Sequence, residues 1–220
     1  RRPCCACGSA RPVMRRSAGD TRFSPRSTWS SAFLLPVACY RIYMKAIVQN
    51  GDPVLRAIAP EVPEELFGSD TLRTIIRDME EALDKEKDGV AIAAPQIGVS
   101  YRIFVVRYDR IRDTEPEDAP TAPEIGVFIN PSFVRSSQRR IEMDEGCLSV
   151  RSIYGKTRRH ERATVRARAL DGTTFERGGG GILAQIFQHE TDHLNGILFI
   201  DHATEIVEAR PADEAATSTA

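Results

Sequence analysis

The densest chemistry in the chain lies in one pentapeptide, His189-Glu190-Thr191-Asp192-His193. Its form is H-E-x-x-H, with two imidazoles four residues apart. On a helix, positions i and i+4 share a face, so both rings can grip one ion. Ile182 and Ile186 continue that stripe, which predicts that the face points into the core. Two histidines and a glutamate on a buried stripe are costly if only hydrogen bonds satisfy them, so metal ligation is the stronger reading. A hydrolytic ion needs three protein ligands and an open position for water. Downstream, His202, Glu205 and Glu208 are candidates for the third ligand, although His202 lacks the intervening glycine of the longer zinc-protease motif. Upstream stands Cys147, within Glu145-Gly146-Cys147-Leu148-Ser149. A thiolate is a strong ligand for Fe(II) or Zn(II). The competing fate of a free cysteine is a small buried hydrophobe.

These residues need a scaffold, and the pattern around them is mixed. Ser69 or Asp70 can cap a helix whose apolar stripe is Leu72, Ile75, Ile76, Met79 and Leu83, with Gly89 as its expected stop. Short β-like runs follow at 101–107, 127–129, 140–143 and 163–169. Asp171-Gly172 signals a hairpin before Thr173 to Phe175. The stretch from Thr114 to Pro123 is rich in proline and acid and predicts a surface loop. Residues 182–194 predict the late helix that carries the histidines. Strands first and a late helix predict an α+β fold of short, mostly antiparallel sheets around that helix, not alternating βαβ units.

Charge divides the 220 residues unevenly. Residues 1–43 carry eight arginines, no lysine and one acid, Asp20, for a net +7, whereas 44–220 carry −8. An acidic core argues against nucleic acid as the main partner, since phosphate binding needs a basic surface. No apolar run approaches the roughly 18 residues of a transmembrane helix. Four of the five cysteines, Cys4, Cys5, Cys7 and Cys39, fall in the basic segment. Cys147 alone cannot build a disulfide framework in the rest, which predicts a reducing compartment. Cys4 and Cys7 have C-x-x-C spacing without a second pair at zinc-site spacing. Residues 1–43 show no persistent period, and Met44 opens a stretch that looks like a natural start. The leader is expected to be upstream sequence translated by mistake, with a transit peptide as the alternative. The expected organisation is a leader at 1–43, a catalytic domain at 44–204 and an acidic tail at 205–220, the last a short helical turn followed by disorder.

Three motifs in order carry a family resemblance. Glu145-Gly146-Cys147-Leu148-Ser149 matches the EGCLS motif of peptide deformylases. Gln188-His189-Glu190-Thr191-Asp192-His193-Leu194-Asn195-Gly196 matches their QHExDHLxG motif, and residues 89–96, ending Ala94-Pro95-Gln96, resemble GxGxAAPQ. Residues 52–56 and Ile129-Asn130-Pro131 also look like family segments, and the resemblance spans about 44–204. It implies removal of the formyl group from N-terminal formyl-methionine of new polypeptides. It makes Cys147, His189 and His193 the ligands of one ion, often Fe(II), with Zn(II) or Ni(II) also found. A water fills the fourth position, with its pKa lowered by the ion. Glu190 becomes general base and acid. The Gln96 side-chain amide and the Leu148 backbone N–H become donors to the developing oxyanion, and Glu145 supports the site. Gly89 and Ala91 would bind an extended peptide by backbone hydrogen bonds. Ile186 and Ile92 are candidates for lining the methionine pocket.

The same resemblance implies a transient ribosome partner, while the acidic core and the lack of a long apolar run give the expectation of no direct nucleic-acid binding and no membrane. It places the protein in a bacterial cytoplasm, or in a mitochondrion or plastid if the leader is genuine. Three departures stand out. Ala91 replaces the second glycine of the first motif, Arg151 stands where many relatives have proline, and Gly178 to Gly181 precede the late helix. Ala91 is expected to crowd the cleft or to resist a positive φ, and the glycine run to loosen the helix entry.

Overall fold

A computed structural model describes residues 46–111 and 124–209. All of them fall in the compact unit Ile42–Ala220, while the leader, the whole of the 114–123 loop and residues 210–220 lie outside the described residues. The elements run α1 (Asp70–Asp84), β1 (Ala91–Ala93), β2 (Ile103–Arg107), β3 (Ile125–Ser136), β4 (Arg140–Cys147), β5 (Val150–His160), β6 (Arg162–Arg168), β7 (Thr174–Gly180), α2 (Ile182–Leu194) and β8 (Thr204–Glu208). Two antiparallel sheets form, with orders β1-β2-β3-β6-β7 and β4-β5-β8. The fold is therefore α+β, with two α-helices among the described residues.

α1 begins where Ser69 accepts a hydrogen bond from the Leu72 N–H, a side-chain N-cap. Its predicted stripe is buried and packs with Ile92, Ile97, Ile103, Val105 and Ile129. The helix ends at Asp84 with Lys85 as C-cap, five residues before Gly89. Gly89 instead sits tightly among Leu83, Glu86 and Leu148, where an added Cβ would lie 2.8 Å from Leu83 Cδ1. A second core unites Phe104, Phe128, Val165, Ala167 and Phe187, and so joins the five-stranded sheet to α2. Phe104 and Phe128 stack at 4.5 Å between centroids.

The strands run longer than the β-like patterns. β3 continues through Asn130-Pro131 because Asn130, at φ 50°, bulges and pairs its side chain with both the N–H and C=O of Val62. β5 alternates in its second half, where Gly155, Thr157 and Arg159 are buried between more exposed neighbours, but no large apolar residue marks those inward positions. The helical turn expected from Glu205 is a strand instead: β8 pairs with β5, Val207 opposite Tyr154. Its Ile206 and Val207 are β-branched and suit the extended pairing.

The glycine run is likewise ordered. Gly178, Gly179 and Gly180 pair with Thr164, Ala163 and Arg162. At Gly179 an added Cβ would lie 2.6 Å from Leu183 Cγ, so the missing side chain lets α2 approach the sheet. Gly181, at φ 55°, makes the turn into the helix.

Candidate metal centre and cleft

α2 spans the predicted 182–194, yet it departs from a simple apolar stripe. Ile182 is 47% exposed, whereas Ile186, His189 and His193 are buried. The helix is held by Phe187 and Leu194 in the second core and by polar anchors. Gln188 bonds both the N–H and the C=O of His160, and Gln185 donates to the Asp144 carbonyl. These bonds fix α2 against β4 and β5.

The tight turn from β4 to β5 delivers the third donor. Cys147 pairs with Val150 after a register shift, and its thiol is free. Sγ of Cys147 lies 3.2 Å from Nε2 of His193. One ligand atom from each of Cys147, His189 and His193 falls within 4.8 Å of the others. Nδ1 of His189 is engaged by Glu145 Oε1 at 2.6 Å, which leaves Nε2 for the cluster. His202, Glu205 and Glu208 are exposed and lie outside this cluster.

Behind the histidine stands a buried network that sequence reasoning assigned only to Glu145. Arg159 donates Nη2 to Glu145 Oε1 at 2.6 Å and Nε to Oε2 at 2.9 Å, and its Nη1 reaches Asp192 at 2.6 Å. Thr157 adds a hydroxyl at 2.5 Å. Period-2 alternation on β5 was the available signal, since Thr157 and Arg159 share one face. An arginine there suggested a solvated side chain, which masked it.

Burial would raise the Glu145 pKa, but the hydrogen bonds from His189 and Arg159 overturn it and hold the group well below the usual carboxylate range. Burial would lower the His189 pKa, yet its bonds to Cys147 and Glu145 raise it well above the ordinary value. His193 goes the other way, lowered by burial and by the neighbouring His189. Glu190 is 3% exposed and burial raises its pKa to about 7. Glu190 Oε2 and His193 Nδ1 are the buried side-chain polar atoms without a hydrogen-bond partner among the described residues.

The cluster opens into a cleft of about 660 Å³ lined by Gly89, Ala91, Gln96, Leu148, Ile186 and Glu190, among others. Gln96 is fixed on a 3-10 turn, Ala94–Ile97. Its Oε1 accepts from the Ala93 N–H at 2.8 Å, and Nε2 donates to Ser149 Oγ at 3.2 Å while facing Cys147 Sγ at 3.7 Å. Ser149, missed in the sequence, thereby aims that amide. β1 lies at the edge of its sheet, and Ala91 adopts ordinary strand backbone, so no positive φ is demanded there. Its side chain is 7% exposed within the second core. Ile92 faces the first core and does not line the cleft. Arg151 stands on the rim, 2.7 Å from Glu86.

An α+β scaffold that buries two helical histidines, a turn cysteine and an adjacent glutamate places the protein in the H-E-x-x-H class. Comparison with known proteins narrows the class. The polypeptide deformylase family profile matches residues 44–209. A peptide deformylase of Acidobacterium capsulatum is 41% identical over 157 residues, covering 71% of this chain and 85% of the relative. One from Dehalococcoides mccartyi is 39% identical over 176 residues, covering 78% and 95%. The Met-Ala-Ser bound crystal structure of a class I type b peptide deformylase from Acinetobacter baumannii superposes with a TM-score of 0.62 at 34% identity, covering 71% of this chain and 97% of that one. An actinonin-bound structure of the same enzyme gives 0.63 at 32% identity, covering 72% and 97%. The chain belongs to the polypeptide deformylase family.

Proposed function

We propose that this chain hydrolyses the N-formyl group from formyl-methionine at the start of nascent polypeptides and releases formate. One observation carries the reading: Cys147, His189 and His193 converge beside a buried, unpartnered carboxylate oxygen of Glu190 at the floor of a cleft. The Met-Ala-Ser held by the Acinetobacter relative supports a methionine-first peptide as ligand.

The donor set fits a divalent ion. A thiol and two imidazole nitrogens lie within reach of one point, and the His189 tautomer is fixed by Glu145. Cys147, His189 and His193 would hold it, with Fe(II) the favoured occupant and Zn(II) or Ni(II) the alternatives. When bound, such an ion supplies Lewis acidity and a water of lowered pKa.

The chain's own groups do the rest. Glu190, buried with one carboxylate oxygen unpartnered, takes a proton from the attacking water and returns it to the leaving amine. The Gln96 amide, aimed by Ser149 and Ala93, donates to the oxygen that gains charge at the tetrahedral carbon, together with the Leu148 N–H. Ala91, on the edge strand β1, offers main-chain hydrogen bonds to an extended peptide, and Gly89, two residues before the strand with its N–H on the Glu86 carbonyl and its C=O on Arg110, flanks the same path. Ile186 contributes an apolar wall for the methionine side chain. The substrate implies a transient ribosome partner and a site of action wherever formylated chains are made: a bacterial cytoplasm, or an organelle if the leader is an import signal. The catalytic unit under this reading begins at Met44, the segment before it being a leader and the segment after β8 a tail.

The test is formate release from formyl-Met-Ala-Ser by protein prepared without air, beside Glu190→Ala and bound-metal analysis. Metal-dependent release that falls about 10²- to 10⁴-fold in the variant is the expected result. Bound metal with no formate from either protein would sink the reading.

A further inference from the structure

The net acidity of the core conceals a basic knob. The β3–β4 turn and the β5–β6 turn clasp each other at one end of both sheets. Ser137 N–H donates to the Arg162 carbonyl at 2.9 Å, and Glu161 N–H donates to the Arg139 carbonyl at 3.1 Å. Ser137 Oγ donates to the Arg139 carbonyl at 2.8 Å and accepts from the Arg162 N–H at 3.1 Å. The His160 ring meets the Ser137 carbonyl at 2.5 Å. Around this fixed point stand Arg135, Arg139, Arg140, Arg158 and Arg162, all exposed. Two acids accompany them. Glu161 lies 3.3 Å from Arg139, and Glu142 sits opposite Arg158 in register. Surface pairs of this kind neutralise little. The knob therefore carries a net charge of about +3 on a domain that is otherwise strongly acidic, and such polarity orients a protein toward an anionic partner before contact.

We propose that this knob docks against the phosphate backbone of structured RNA. The chemistry favours phosphate over an acidic protein surface. Protein interfaces need an apolar centre. Here the spaces between the arginines hold Ser136, Ser137, Gln138 and the side-chain-free Gly178 and Gly180, and the exposed apolar side chains Phe133 and Val134 lie to one side of the cluster, before Arg135, rather than at its centre. Every cation is an arginine, whose planar fork matches phosphate oxygens two at a time. Arg162 opposes Gly180 and Arg135 opposes Thr164, itself opposite Gly178, so these two arginines share one uncrowded face. Placement ties the knob to the cleft. Gln188 of α2 grips the backbone of His160, so an RNA held here fixes the orientation of the helix that bears His189 and His193. The surface owes nothing to the hydrolytic reading, and a failure of formate release would leave it standing.

The experiment uses the whole chain, a fluorescent mixed-sequence RNA duplex and purified bacterial ribosomes, titrated at several salt concentrations. Arg135, Arg139, Arg140 and Arg162 are changed together to Gln. A control changes Arg73, Arg77, Lys85 and Lys87 to Gln, removing the same charge from exposed positions on and just after α1. Circular dichroism and a cooperative thermal unfolding transition serve as the check that each variant is folded. The proposal expects the knob variant to lose more than about tenfold in affinity for both probes, with the salt slope falling by about one per contact removed. The control keeps its affinity. Equal losses in both variants would show a nonspecific charge effect and overturn it. Unchanged binding by the knob variant would assign any RNA affinity to the basic leader and overturn it. Loss of ribosome binding with RNA binding intact would point to a protein partner and also overturn it.

Discussion

α1 and α2 are similar in length, 15 and 13 residues, and they bury opposite chemistry. α1 buries Leu72, Ile75, Ile76, Met79, Ala82 and Leu83, all apolar. α2 buries Gln185, Gln188, His189, Glu190, Thr191 and His193 beside its apolar residues. The first helix contributes stability through area removed from water, about 25 cal/mol per Å² of apolar surface. The second carries desolvated polar groups that must be matched one by one. Gln185 and Gln188 are satisfied by β4 and β5 backbone, Thr191 by the Phe187 carbonyl and His189 by Glu145. Glu190 keeps an unmatched oxygen and His193 an unmatched nitrogen. The helix that holds the fold and the helix that holds the chemistry are thus separable, and substitutions can separate them.

The largest effect should come from the network behind α2. Arg159→Leu leaves Glu145 anionic and buried without its cation, and should cost about 3–5 kcal/mol in urea unfolding. A cost below about 1 kcal/mol would mean that α2 needs no such match and would erase the contrast. On the other side, Met79 is fully buried in α1. Met79→Ala should cost about 2–5 kcal/mol while formate release per folded molecule stays unchanged. A fall in turnover without unfolding would make α1 part of the site.

Much of this contrast was legible in the sequence, for a physical reason. Helical period and residue type are local properties, so α1's stripe, α2's bounds and the pairing of His189 with His193 all follow from spacing. Strand lengths do not, because β3, β5 and β8 are fixed by partners distant in the chain. Asn130 shows why: its bulge depends on Val62, 68 residues away. The β8 strand was hidden likewise, since a short exposed edge lacks alternation and gains its order from β5. Arg159 and Ser149 escaped because their roles are set by what they touch. The resemblance supplied Cys147 as a ligand where spacing alone left His202, Glu205 and Glu208 open.

Smaller effects sharpen the comparison. Gly179→Ala should cost about 1–3 kcal/mol, because its methyl group meets Leu183 and pushes α2 from the sheet. Guanidinium titration of both proteins measures it, and a neutral result would mean that the glycine run is the loose entry that its composition suggested. The smallest effect lies on the α1 side, where Arg107 pairs with Asp109 at 2.8 Å. The Arg107 hydrogen bond holds the Asp109 pKa below its ordinary 3.8. A depressed carboxylate pKa contributes stability that is present above the unfolded value and lost as pH falls through the folded one. Asp109→Asn should therefore cost about 1 kcal/mol at pH 6, with the gap to the parent closing below pH 4. A gap that stays constant with pH would refute the assignment.

The central claim is that α2's buried polarity exists to hold an ion through Cys147, His189 and His193. The most direct measurement is metal content per protein, by elemental analysis of anaerobically prepared parent and Cys147→Ala, each checked for folding by circular dichroism. The account predicts about one ion per parent molecule and none in a folded variant. A folded variant that keeps its ion would contradict it, since the third ligand would then have to come from elsewhere in the chain.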